Sequence, residues 1–168
     1  TEPEVQGKLD LPLVPSQPVR FAEGMPNQLF IPTGNTLALW NADTLARPAL
    51  KTWTFEGAIT GLWTHSNAKK KTRVLVSADK LSYLAPDKDA PLWEIPLPKG
   101  KLTGLPTLNE TEVIWPTNTG EIFSIDLETG EITTILKPTP ELGLSSGSTV
   151  ITPSKVIVST REDGTILF

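Results

Sequence analysis

A repeat with a period of just over 40 residues constrains the fold of this chain more than any other feature. Four short runs share a polar first residue, three apolar positions near the centre and a terminal Thr or Ser. Their terminal residues, Thr33, Ser77, Thr117 and Thr160, lie 44, 40 and 43 residues apart. Runs of β-branched and aromatic residues bounded by turn residues are typical of strands.

The residues around these runs repeat in the same phase. Each run is followed by a short turn and a second strand-like run, and the first three also by a third. The last three runs are preceded by a small-residue segment containing Gly61, Gly104 or Gly143, which we expect on a tightly packed inner strand. With 16 Pro and 12 Gly among 168 residues, no amphipathic helical pattern of about ten residues is found. The sequence therefore predicts an all-β fold.

A period of about 40–45 residues with several strands per period is typical of the blade of a β-propeller. We expect four antiparallel strands per blade, named A to D outward from the ring axis. The predicted blades cover residues 18–56, 57–98, 99–138 and 139–168, and the last lacks a D strand that residues 6–13 resemble and would supply. The chain is then either a four-bladed ring, one half of an eight-bladed ring of two chains, or an excised half of a longer protein. We favour the dimer.

The third repeat carries a family resemblance. Residues 104–130 resemble the PQQ-like propeller repeat, in which an Asp-x-x-Thr-Gly turn, here Asp126–Gly130, follows the C strand. The resemblance implies that Trp53 and Trp93 dock one blade onto the next. The first two repeats depart from the pattern, since Pro86–Asp89 lacks the Thr-Gly pair. WD40 repeats are the weaker rival, because their Gly-His dipeptide and their structural Asp are not evident.

The function that the resemblance implies is not catalytic. PQQ-like propellers include quinone-dependent dehydrogenases, with a vicinal Cys pair and a calcium site, and scaffolds such as outer-membrane assembly lipoproteins. This chain has no Cys and too few blades for the first group. We therefore expect a scaffold that binds another protein or itself, with no cofactor and no metal, in an extracytoplasmic compartment. The alternative is a quinone- or calcium-dependent propeller with its ligand in the central funnel.

Loops on one rim of such a ring join strand B to C and strand D to A, and we expect them to form the contact surface. The candidate residues are Asn35, Asp79, Asn118 and Arg161 in the first set and Glu56 and Lys101 in the second.

Other polar features favour ordinary structural roles. Asp126 is expected to accept hydrogen bonds from its own turn rather than bind calcium. His65, the single histidine, is expected in a solvent-facing loop, and Lys69–Lys71 at a solvated hairpin tip. The net charge of −4 argues against nucleic-acid binding. No apolar run approaches the roughly 18–20 residues that span a bilayer.

Overall fold

The computed structural model describes residues 14–44, 48–67, 69–138, 149–152, 156–161, 164 and 166–167. Over these ranges the chain forms antiparallel strands, one 3-10 turn at Ala42–Thr44 and no α-helix, which confirms the all-β prediction. In the same ranges, no helix has the length and hydropathy needed to cross a bilayer.

The strands form sheets in which neighbours along the chain are neighbours in space. Sheet 1 contains β1 (Arg20–Phe21), β2 (Gln28–Thr33), β3 (Thr36–Asn41) and β4 (Lys51–Thr54). Sheet 2 contains β5 (Gly61–Ser66), β6 (Thr72–Ser77), β7 (Lys80–Leu84) and β8 (Trp93–Pro96). Sheet 3 contains β9 (Thr107–Leu108), β10 (Glu112–Pro116), β11 (Ile122–Asp126) and β12 (Ile132–Leu136). Sheet 4 contains, in the described part, β13 (Val150–Ile151), β14 (Ile157–Thr160) and β15 (Ile166–Leu167).

The predicted B strands lie at residues 28–33, 72–77, 112–117 and 155–160, and the predicted C strands at residues 36–40, 80–84, 121–125 and 165–168. They agree with the observed strands to within two residues at each described end. The inner strand of the third repeat differs, because β9 begins at Thr107 and not at the segment around Gly104. The predicted D strand at residues 6–13 and the segment around Gly143 lie outside the described residues.

The chain consists of two compact units, within each of which the residues mainly contact one another, and the boundary falls between Leu97 and Pro98. The first unit holds sheets 1 and 2, and the second unit holds sheets 3 and 4. The boundary adjoins the predicted limit between the second and third blades at residues 98 and 99.

The core of the first unit forms where one face of sheet 1 packs on one face of sheet 2. Phe30, Leu37 and Trp53 come from sheet 1, while Leu62 and Val74 come from sheet 2. Alternate residues of a strand point to one face, so these positions collect on the inner side of each sheet. Each large apolar side chain buried in this way stabilises the fold by about 1.5–3 kcal/mol.

The second unit is built around β10 and β11. Consecutive residues of β10 are buried, among them Val113, Ile114 and Trp115, so both faces of this strand are covered. A strand buried on both faces needs an unbroken apolar run rather than an alternating one. The neighbouring β12 is exposed over its first four residues.

Candidate interaction surface

Two predicted rim residues of the first unit, Asp79 and Glu56, lie in segments that contact each other, the β6–β7 turn and the connection between β4 and β5. Asp79 follows β6 in sheet 2, and its Oδ1 accepts a hydrogen bond from the backbone N–H of Gly57 at 3.1 Å. Glu56 precedes Gly57 and is exposed. A Cβ on Gly57 would lie 3.0 Å from the Asp79 nitrogen and 3.1 Å from its Cβ, closer than side chains normally approach. Asp79 therefore anchors the connection that leads from sheet 1 into sheet 2.

The second unit repeats this arrangement with other residues. The Oδ1 of Asn118 accepts a hydrogen bond from the Lys101 N–H at 2.8 Å, and the Asn118 N–H donates to the Lys101 carbonyl at 2.8 Å. Gly100 has a φ of 86°, and a Cβ there would lie 3.1 Å from Cβ of Thr117. We call the side-chain hydrogen bonds of Asp79 and Asn118 the turn anchors. The structure thus brings together two predicted rim residues, Lys101 and Asn118.

The remaining two rim residues differ from each other in exposure. Asn35 is exposed, and its Nδ2 donates to the Phe55 carbonyl at 2.9 Å at the end of its own sheet. Arg161 is only 2% exposed, and its Nη1 donates to the Gly120 carbonyl at 3.2 Å. The expectation of an accessible Arg161 is therefore wrong, because the guanidinium is buried against the turn of sheet 3.

The two tryptophans expected to dock blades occupy different positions in their sheets. Trp53 is buried in the core of the first unit and pairs with Leu37, the second residue of β3. Trp93 is half-buried and pairs with Tyr83, the fourth residue of β7. The residue of β8 that pairs with the second residue of β7, Leu81, is Ile95. In sheet 1 the fourth residue of the corresponding strand β3 is Leu39, and it pairs with Lys51. The position of Trp93 in sheet 2 is therefore that of Lys51 in sheet 1, and not that of Trp53.

Two of the glycines expected on inner strands, Gly61 and Gly104, differ in burial and in backbone conformation. Gly61 is buried in β5, where a Cβ would lie 2.7 Å from Cζ3 and 2.9 Å from Cζ2 of Trp63. Gly104 is exposed, and its φ of 69° is in the left-handed region. The backbone conformation of Gly104 favours glycine at this position, which lies outside β9.

His65 is a strand residue, so its expected place in an exposed loop is wrong. It lies in β5, is 8% exposed, and its Nε2 is 2.9 Å from the Tyr83 hydroxyl. The rings of His65 and Tyr83 stack at 5.7 Å, and those of Tyr83 and Trp93 at 5.1 Å. Burial lowers the pKa of His65, against the opposing effect of a hydrogen bond with the Ser66 backbone. Burial also raises the pKa of Tyr83 to about 12.

The turn role of Asp126 is confirmed. Its Oδ1 accepts hydrogen bonds from the N–H of Glu128 at 2.9 Å and of Thr129 at 2.8 Å, and from the Thr129 hydroxyl at 3.0 Å. The hydrogen bond from the Thr129 backbone is the main cause that lowers the pKa of Asp126. In the described ranges, no group of three or more metal-ligating side chains comes together.

Sheet 1 also carries apolar residues on the face turned away from sheet 2, a surface that the sequence did not predict. Strand register places Phe21 opposite Leu29, Leu29 opposite Trp40, and Ile31 opposite Ala38. These five residues therefore share one face, which we call the open face. Phe21 is 73% exposed, whereas Ile31 is buried. β1 has two residues, too few to show an alternating pattern in the sequence.

Sheet 4 has exposed apolar residues of its own. Val150 is 54% exposed and pairs with Val158, while Ile166 is 56% exposed and pairs with Thr160. Because Val158 and Thr160 are two apart on β14, all four residues share one face of the sheet.

Comparisons with known proteins agree with the fold and leave the family open. No family model matches the chain, and no curated protein matches it. The computationally designed Ika4 protein is 15% identical with a TM-score of 0.63, over 98% of this chain and 93% of that one. The computationally designed Ika8 protein is 16% identical, with a TM-score of 0.62, and Kluyvelomyces marxianus Hsv2 is 14% identical, with a TM-score of 0.61. Both matches cover 88% of this chain, and the chain spans only 43% of Ika8 and 44% of Hsv2. The similarity is to propeller proteins, and it concerns the fold alone.

Proposed function

We propose that this chain is a non-catalytic β-propeller scaffold that assembles with a second copy of itself through the open face of sheet 1. Its four sheets are then four blades, and two chains form an eight-bladed ring. The observation that carries the proposal is Phe21, which leaves 73% of its surface in water on an otherwise apolar sheet face. Leu29 and Trp40 on the same face are half-buried, so they extend the apolar surface that Phe21 exposes. Exposed apolar surface of this kind is typical of interaction sites.

The first unit shows what kind of partner this face needs. The opposite face of sheet 1 buries Phe30, Leu37 and Trp53 by packing on a second sheet. The open face presents similar side chains, so a further sheet is the natural cover. Sheet 4 of a second copy fits, because one of its faces exposes Val150 and Ile166. A two-fold axis makes each such contact occur twice and closes the ring.

The sizes of two matched proteins, Ika8 and Hsv2, support the same proposal, whereas Ika4 is matched over 93% of its own length. Nearly nine-tenths of this chain superposes on less than half of Ika8 and of Hsv2. A chain of this length then corresponds to about half of those propellers. Sheet 4 has three strands in the described part, and residues 6–13 of the same chain or its partner would add a fourth and cover an edge strand that otherwise invites aggregation.

The PQQ-like relationship and an extracytoplasmic location are hypotheses that rest on residues 104–130. The Asp126 turn supports the comparison, because its hydrogen bonds to Glu128 and Thr129 explain why Asp and Thr recur in that motif.

Light scattering on the size-excluded protein tests the assembly. We expect a mass of twice 18.2 kDa for the full chain. Phe21→Ser should shift the mass to that of one chain while the circular dichroism spectrum is retained. Leu92→Ser is the matched control, since Leu92 is 44% exposed outside the open face, and it should leave the dimer intact.

Two results would contradict the proposal. A single-chain mass at every concentration would refute self-assembly. A dimer that survives Phe21→Ser as well as it survives Leu92→Ser would refute the role of the open face.

A further inference from the structure

We infer that a cleft in the first unit, apart from the open face, binds a small phosphate monoester with an apolar body. The cleft has a volume of about 440 Å³. It lies where the β1–β2 turn, the β5–β6 turn, the start of β4 and the β7–β8 turn meet. Pockets of roughly 300–1,000 Å³ lined by apolar residues with a few polar groups are typical of small-molecule sites.

Apolar side chains form part of the wall. Met25 packs against the buried core of the first unit, Leu39 is buried, and Leu50 is 55% exposed. An aromatic or aliphatic body would cover the exposed surface of Leu50 and gain the free energy of removing it from water.

Cations form the opposite side. Lys70 and Lys71 line the cleft, and in the described part of the chain no carboxylate forms an ion pair with either of them. Arg73 also lines the cleft, but it pairs with His65 on the face of β6 opposite Val74, and its Nη1 donates to the Thr72 carbonyl. Lys51 also lines the cleft, but it pairs with Asp89 at 2.9 Å and donates to the carbonyls of Pro86 and Lys88. Its charge is therefore already balanced within the protein.

The charges select the kind of head group. Among the described residues, Lys70 and Lys71 are the unpaired cations of the lining, and Asp87 is its acidic residue outside the Lys51 pair. Two neighbouring ammonium groups match the two charges of a phosphate dianion better than the single charge of a carboxylate. Hydrogen bonds from Lys and Arg to phosphate oxygens are among the strong, charge-assisted ones.

The backbone that carries these cations is well tied down. Oδ1 of Asn67 accepts hydrogen bonds from the Lys69 N–H at 3.1 Å and the Lys71 N–H at 2.9 Å. Thr72, which is buried, donates its hydroxyl hydrogen to the Glu23 carbonyl and so joins the β5–β6 hairpin to the β1–β2 turn. Less conformational entropy is then lost when a ligand binds.

Calorimetry with 1-naphthyl phosphate tests the inference on the full chain. We expect 1-naphthyl phosphate to bind at least tenfold more tightly than inorganic phosphate, neutral 1-naphthol or 1-naphthoate. The double variant Lys70→Gln/Lys71→Gln should weaken binding at least tenfold. Lys80→Gln/Lys99→Gln removes the same charge from exposed positions outside the cleft and should have less than a twofold effect. Leu50→Ser should weaken binding of the naphthyl ester but not of inorganic phosphate.

Each opposite result would overturn the inference. Equal losses in the two double variants would show general charge attraction and no site. Equal binding of 1-naphthoate would remove the preference for a dianion. Binding to phosphatidylserine vesicles without binding of 1-naphthyl phosphate would make the cations a membrane contact. Because the cleft is apart from the open face, Phe21→Ser should leave the ester affinity unchanged, so the two proposals fail separately.

Discussion

Replacing Gly61 by Ala tests how closely the first unit is packed. The backbone of Gly61 is outside the left-handed region, so an Ala is conformationally allowed and would by itself stabilise the strand by about 0.5–1 kcal/mol. The new Cβ, however, overlaps the six-membered ring of Trp63. Forcing extra carbon into a packed site costs about 1–3 kcal/mol. We therefore expect Gly61→Ala to lower the free energy of unfolding by about 0.5–2 kcal/mol.

A double-mutant cycle isolates the cause. With an m-value of about 2 kcal/mol/M, urea unfolding followed by circular dichroism should show a midpoint lowered by about 0.3–1 M. In a Trp63→Leu background the overlap is gone, and Gly61→Ala should be neutral or stabilising. The coupling free energy between the two sites is then about 1–3 kcal/mol.

The same double-mutant cycle can also contradict the proposed overlap between a Cβ at Gly61 and the Trp63 ring. If Gly61→Ala is as destabilising in the Trp63→Leu background as it is when Trp63 is present, ring overlap is not the reason for glycine at this position.

Three further predictions use other parts of the structure. Asp79→Ala should cost about 1 kcal/mol because the Gly57 N–H loses its acceptor, whereas Asp79→Asn keeps an Oδ1 and should cost less than half as much in the same urea titration. Leu37→Ala should cost about 2–5 kcal/mol because Leu37 is fully buried, while Leu92→Ala should stay within about 0.5 kcal/mol, and equal costs would contradict the core assignment. The pKa of His65 is lowered from 6.5 in the folded state, so its contribution to stability is present above pH 6.5 and is lost as the pH falls through the lowered value. Unfolding titrations should therefore show the contribution of His65 as a loss of up to about 1.4 kcal/mol per pH unit that begins near pH 6.5, and His65→Gln should reduce the slope in that range.

Much of the strand pattern follows from the sequence, because short β-branched runs bounded by turn residues leave few choices. The predicted runs at residues 28–33, 72–77 and 80–84 coincide with β2, β6 and β7. The hydrogen bonds around Asp126 follow for a similar reason, since an Asp at the start of a turn accepts from the next residues of its own chain.

The positions of the two tryptophans could not be equated from the sequence. Trp53 is the fourth residue of the predicted third strand at residues 50–55, whereas Trp93 is the second residue of the one at residues 92–97. The two positions differ by two residues and share a face, so matching them by residue type alone hid the shift along the strand. The turns differ as well, since Thr33 pairs with Thr36 across two residues and Ser77 pairs with Leu81 across three.

Two features of the site depend on distant residues. His65 precedes the polar stretch at residues 66–71, which resembles a loop, yet it is buried because Tyr83 of β7 stacks on it and Trp93 of β8 stacks on Tyr83. The cleft of the first unit draws its lining from five segments between residues 24 and 87. Neither arrangement can be predicted from the sequence of a single strand or turn.

The turn anchors have a consequence for how the chain opens locally. Asp79 belongs to sheet 2 and holds the connection that arrives from sheet 1, and Asn118 of sheet 3 holds the connection at Lys101. In both cases the anchor and the held connection lie within one unit. Loss of an anchor should therefore release the segment that enters its sheet before the strands of that sheet separate. Amide hydrogen exchange at Gly57 and Lys101 would show this as opening at a lower free energy than global unfolding.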